Sequence, residues 1–79
     1  MNVKLKFFAS FRMITGTAVT ELQVPEGTTT GELFEIVRSM YEGFDKKKVL
    51  YAVNGDYVGE EVGLKEGDAV AFFPPVSGG

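Results

Sequence analysis

A single long stretch of this chain, Leu33, Ile36, Val37 and Met40, repeats its apolar residues at helical spacing. Glu32, Glu35, Arg38, Ser39 and Glu42 occupy the rest of the circumference, which is the pattern of an amphipathic helix with one buried stripe. Thr29-Thr30-Gly31-Glu32 stands at its start. The Thr29 hydroxyl can take one free helix amide while the Glu32 carboxylate reaches back to another, a capping box. Gly43 is the predicted left-handed stop. One helix of about three to four turns must therefore find its partner among strands.

The strands are legible by alternation. Val3, Leu5 and Phe7 share one face of a first strand, and Lys4, Lys6 and Phe8 share the other. A phenylalanine in line with two lysines is the anomaly of that strand. Ser10 to Thr17 connects through a short helical turn closing at Gly16. A second strand runs from about Val19 to Val24 with Thr20, Leu22 and Val24 on one side, and Pro25-Glu26-Gly27 turns it. After the helix, Val49 to Val53 forms a third strand. Asn54-Gly55 ends it as a hairpin turn, because both positions require positive φ. Tyr57-Val58 returns as a short strand, Glu60 to Lys65 is irregular, and Ala69 to Phe73 is the last strand.

One helix and about five strands cannot make a doubly wound sheet. They predict an α+β domain, a mixed sheet with the helix across one face and the other face partly wet. The 79 residues allow one domain, residues 1–73, followed by an extended tail, 74–79. A domain of this size buries only about 60% of its unfolded surface, and an apolar content of 44% with seven phenylalanines supplies the core.

Neither cysteine nor histidine occurs. That removes thiol nucleophiles, imidazole bases and ordinary zinc sites, so a carrier or binding subunit is expected rather than an autonomous enzyme. The adjacent Glu60 and Glu61 look like paired carboxylates, but neighbours in a loop diverge and read as solvated. The net charge of −3 argues against a nucleic-acid partner, and Lys46-Lys47-Lys48 reads as a solvated loop. No apolar run approaches the ~18 residues of a membrane span, and the alternation beginning at Val3 leaves no signal peptide visible. A soluble, cytoplasmic protein is expected.

A terminal Gly-Gly by itself reads as a frayed end; the prolines before it and the element order of the domain make the tail the candidate for chemistry. Pro74-Pro75 locks two φ angles and removes two amide donors, so the sheet should end there and a stiff arm begin. Ser77-Gly78-Gly79 has almost no side-chain volume and can thread a narrow channel to present a bare carboxylate. A carboxylate becomes reactive when its oxygen is made a leaving group, as in an acyl-adenylate.

Phe7-Phe8-Ala9 with Gly16, Pro25-Glu26-Gly27, Ala52-Val53-Asn54-Gly55, Gly67-Asp68 and the ending Phe-Phe-Pro-Pro-Val-x-Gly-Gly together resemble the small subunits of molybdopterin synthase. These belong to the ubiquitin-like sulfur carriers, and the element order is that of a β-grasp. The resemblance implies a five-stranded mixed sheet with its first and last strands adjacent and parallel. It also implies that Gly79 is adenylated by an E1-like activating enzyme using ATP, then converted to a thiocarboxylate with sulfur from a sulfurtransferase. Pro74, Pro75, Val76, Ser77 and Gly78 would line the channel of the large synthase subunit. There the sulfur would pass to a cyclic pyranopterin monophosphate to build a dithiolene. No cofactor or metal bound by this chain is implied. A carrier for another pathway, such as thiamine synthesis, and a protein modifier joined to lysines through the same glycine stay open beside this reading.

Adjacency of the end strands gives the anomalous Phe8 a role. Val70 and Phe72 would face the helix and Ala69, Ala71 and Phe73 would face outward, so Phe8 and Phe73 would form an exposed aromatic patch at the tail's root. Exposed apolar patches mark partner surfaces. The alternative is that loop residues such as Phe11 cover both rings. Tyr41 and Phe44 read as satellite core.

Overall fold

The structure, a computed structural model, describes residues 1–44 and 48–75. Its first strand, β1 (Asn2–Phe7), buries Val3, Leu5 and Phe7 and exposes Asn2, Lys4 and Lys6. A short helix α1 (Ser10–Thr15) follows and closes at Gly16, whose φ of 74° is left-handed. β2 (Val19–Gln23) returns antiparallel to β1, with Leu22 opposite Val3 and Thr20 opposite Leu5. α2 (Thr30–Met40) precedes β3 (Leu50–Val53), β4 (Asp56–Val58) and β5 (Ala69–Phe73).

The sheet order is β2-β1-β5-β3-β4. β5 pairs parallel with β1 and antiparallel with β3, so the last strand lies in the middle of the sheet and beside the first. This mixed sheet with one packed helix is a β-grasp, as the element order predicts. Asn54 and Gly55 hold φ of 51° and 93° and make the expected β3–β4 turn.

The capping box forms as read. The Thr29 hydroxyl accepts from the Glu32 N–H at 3.2 Å, and the Glu32 carboxylate accepts from the Thr29 N–H at 3.0 Å. The irregular segment after β4 completes the helix start. Val62 and Glu60 carbonyls accept from the N–H groups of Thr30 and Gly31, at 3.0 and 2.9 Å. The Thr30 hydroxyl, fully buried, donates to the Gly59 carbonyl at 2.6 Å. Helix amides without intrahelical acceptors are thus satisfied by a neighbouring loop.

Three expectations need correction. The buried stripe of α2 is Thr30, Leu33, Phe34 and Val37, whereas Met40 is 48% exposed and Ile36 is only half-buried. Phe34 turns the helix toward itself, because its ring meets Phe72 at 5.6 Å and Phe44 at 5.5 Å. Gly43 is not the helix stop. α2 ends at Met40 and Tyr41 is already extended, at φ −128° and ψ 132°, which brings its ring edge-on to Phe7 at 6.1 Å. Gly43, at φ 112°, turns the chain after that point. Phe44 is central core rather than a satellite. It is 1% exposed and packs edge-on against Phe11 and Phe34.

Lys46 and Lys47, the first two members of the basic run, lie outside the described residues. Among the described residues, no helix is long and apolar enough to cross a membrane.

Candidate functional site

Parallel pairing of β1 with β5 sets Phe7 opposite Phe72. Both rings point to the helix and stack at 5.7 Å. The next residue on each strand must then point the other way, and Phe8 and Phe73 do meet on the outer face, stacked at 4.5 Å with 12° between planes. Phe8 is 42% exposed and Phe73 is half-buried.

The chain holds Phe8 there at a local cost. The Phe8 carbonyl accepts from the Phe11 N–H at 3.1 Å, closing a tight turn. Ala9 in that turn adopts φ 52°, ψ −129°, a conformation that an L-residue with a Cβ resists. The turn sends Phe8 outward and Phe11 inward. Phe11 is fully buried against Phe34 and Phe44, so it does not cover the outer rings.

Tyr57 extends the row, a residue that the alternation pattern did not single out. Its ring lies 5.7 Å from Phe73, and it is 73% exposed. The signal for it lay in the hairpin register. Tyr57 pairs with Ala52, and Ala52 with Ala71, so an outward aromatic on β4 overlooks a floor of alanines. A hydrogen-bonded corner fixes the hairpin on β5. The Asn54 N–H donates to the Ala69 carbonyl at 2.8 Å, the Asn54 side-chain oxygen accepts from the Ala69 N–H at 3.0 Å, and the Asn54 Nδ2 donates to the Asp68 carboxylate at 3.0 Å. The result is an open groove of about 280 Å³ over Ala52, Ala69 and Ala71, bordered by Phe8, Phe73 and Tyr57 with Lys6 at one side.

The sheet ends at Phe73 and the prolines follow, Pro74 half-buried and Pro75 exposed. Pro75 borders a second groove on the opposite flank, between α2 and β3, together with Glu35, Arg38, Tyr51 and Glu60. The tail's root thus stands between an aromatic face and a charged flank. Val76, Ser77, Gly78 and Gly79 lie outside the described residues.

Burial, helped by the charges of Glu60 and Glu35, raises the Tyr51 hydroxyl above the ordinary tyrosine range. Glu60 and Glu61 are exposed in their loop. Among the described residues no three acidic side chains cluster to hold a metal ion. What this surface offers is a row of partly exposed aromatic rings beside Pro74 and Pro75.

Residues 5–79 match the ThiS family. The chain is 36% identical over 81 residues to the molybdopterin synthase sulfur carrier subunit of Escherichia coli, covering 98% of this chain and 99% of that one. It is 33% identical over 92 residues to small archaeal modifier protein 3 of Haloferax volcanii, with both chains covered in full. A Pyrococcus furiosus structure, solved as a candidate molybdopterin converting factor subunit 1, superposes with a TM-score of 0.87 at 37% identity. That alignment covers 96% of this chain and 99% of the other.

Proposed function

The chain belongs to the ThiS family, and we propose that it is a sulfur carrier of molybdopterin synthase that acts through the carboxylate of Gly79. An E1-like enzyme would bind ATP and bring it to the terminus. One oxygen of the Gly79 carboxylate attacks the α-phosphate, pyrophosphate leaves, and the terminus becomes an acyl-adenylate. Sulfur at the sulfide level, provided by a sulfurtransferase, then attacks the carbonyl and displaces AMP, leaving a thiocarboxylate. The arm next enters the large synthase subunit, with Pro74 to Gly78 lining its channel. The sulfur passes to a cyclic pyranopterin monophosphate there, toward the dithiolene.

The observation that carries this reading is the extent of the family match, which runs from residue 5, within β1, to residue 79. The aromatic row at the tail's root supports it. Phe8 and Phe73 stack on the outer face beside the point where the arm leaves, where a partner engulfing the arm must press. Interfaces favour such aromatic anchors.

A second reading has its own support. The identity of 33% to a small archaeal modifier protein favours a role in which the same activated glycine is joined to lysine amines. Intact-mass analysis of the protein from its native cells separates the two. A carrier shows the mass gain of one sulfur replacing one oxygen at the C-terminus. A modifier is recovered as an isopeptide on other proteins, and an unaltered carboxylate in every fraction overturns both.

A further inference from the structure

The flank opposite the aromatic row has a different character. A recess of about 320 Å³ beside the start of α2 is bordered by Glu32, Glu35, Glu60 and Glu61 together with Tyr51, and no described lysine or arginine borders it. Two of these carboxylates are engaged. Glu32 accepts from the Thr29 amide at 3.0 Å, and Glu35 pairs with Arg38 at 2.8 Å. Glu60 and Glu61 form no ion pair among the described residues.

Tyr51 is the independent observation that marks this recess as a site. Only 7% of the residue is exposed, and its ring is held edge-on by Phe34 and Phe72 at 6.2 and 5.9 Å. Yet its hydroxyl has no bond to a described residue and is not sealed from the surface; it opens where Glu35 and Glu60 stand. A phenol oxygen can accept a hydrogen bond from a cation whose charge neighbouring carboxylates balance. The carboxylates are too dispersed to converge on a metal ion. That spacing suits a broad cation with several donors, an ammonium or guanidinium on a flexible stem.

Position supplies the partner. The adjoining groove shares Glu35, Tyr51 and Glu60 with the recess and reaches Pro75, so whatever takes in the tail abuts this flank. An enzyme that brings a carboxylate against a triphosphate must offset negative charge on both reactants with cationic groups. Cationic groups continuing to the mouth of its channel would complement this acidic flank. We propose that the recess around Tyr51 receives a lysine or arginine side chain from the rim of the adenylating enzyme's tail channel. Aromatic docking on one side of the root and a charged latch on the other would fix the direction in which the arm enters.

The proposal rests on the sulfur-carrier reading, and the test keeps the two apart. The full chain and its adenylating enzyme are mixed in stopped flow at low and high salt, with Glu60→Gln/Glu61→Gln and Tyr51→Phe as variants. Removing two charges should slow association about tenfold at low salt and flatten its salt dependence, the signature of rim charges. Tyr51→Phe keeps the ring and should speed dissociation about threefold. Wild-type kinetics in both variants overturns the proposal while leaving the carrier reading intact. Failure of the wild-type chain to bind the adenylating enzyme at all overturns both.

Discussion

At Gly31 the absence of one methyl group lets a helix and a loop meet. A Cβ there would stand 2.9 Å from the Glu60 carbonyl oxygen, the same oxygen that accepts the Gly31 N–H. The backbone, not a flexible side chain, is the obstacle. Alanine gains about 1 kcal/mol in a helix interior, less in a first turn, while overpacking costs about 1–3 kcal/mol. Gly31→Ala should therefore destabilise the domain by about 1–2 kcal/mol net, lowering Tm by about 4–8 °C per kcal/mol; a thermal melt that rises instead would show that the loop yields freely. Tyr51 makes a second prediction at this scale. Burial first, and Glu60 and Glu35 after it, keep its proton on above the pH where an unfolded tyrosine loses it. The folded state then binds more protons than the unfolded one at alkaline pH, so this contribution to stability is complete below about pH 10 and is lost as pH rises beyond it. Urea midpoints measured across that range should fall less steeply in Tyr51→Phe than in the wild type. Parallel slopes would mean that the hydroxyl titrates alike in both states.

Among the elements, the outer ends of β1 and β5 and the inner face of α2 carry rings of similar size and opposite purpose. Phe34 is 4% exposed and touches Phe11, Phe44, Tyr51 and Phe72. Phe34→Ala should cost about 3–5 kcal/mol, a large share of the roughly 4–12 kcal/mol that a domain of this length holds. Phe73 has Phe8 and Tyr57 for neighbours on a wet face, and an aromatic pair of that kind adds about 0.5–1.5 kcal/mol. Phe73→Ala should stay folded, losing about 1 kcal/mol in that sense, and weaken binding to the adenylating enzyme or the large subunit by tenfold or more, as interface hot spots do. Calorimetry on both variants reads both quantities, and a Phe73 variant that unfolds like Phe34→Ala would assign the ring to the core. The same comparison explains what could be read beforehand. Alternation marked Val3, Leu5 and Phe7 as inward, and Asn54-Gly55 and the capping box are local chemistry, visible in neighbours. The turn of α2 toward Phe34 was not visible, since it answers to rings on Phe72 and Phe44 far along the chain. Nor was the loop that seats on Thr30 and Gly31, whose hydrogen bonds join residues about thirty positions apart. Tyr57 became legible only once the register set it over Ala52.

For the whole molecule the decisive arrangement is a central strand that runs directly into Pro74 and Pro75. β5 lies between β1 and β3, so folding energy is concentrated on one side of Phe73 and the proposed chemistry on the other. Deleting Gly79 should therefore separate the two. The core residues of β5 are Val70 and Phe72, both fully buried, and the deleted residue follows Pro74-Pro75 and three more positions, so the melting temperature should not move. Partner binding should largely survive as well, because the aromatic row and the recess around Tyr51 are unchanged. Reach is what is lost. An extended chain advances ~3.3 Å per residue, so the carboxylate would stop that far from the adenylating site and from the pterin. A misplacement near 1 Å already costs about a hundredfold in rate, and a gap three times larger should leave little product. The assay is reconstitution with the activating enzyme, a sulfur source, ATP and the large subunit, scoring dithiolene formed from the pterin precursor. Binding near the wild-type level with product reduced at least a hundredfold is the expected result. Full activity in the shortened chain would remove Gly79 from the chemistry and with it the division of labour between a rigid sheet and a deliverable terminus.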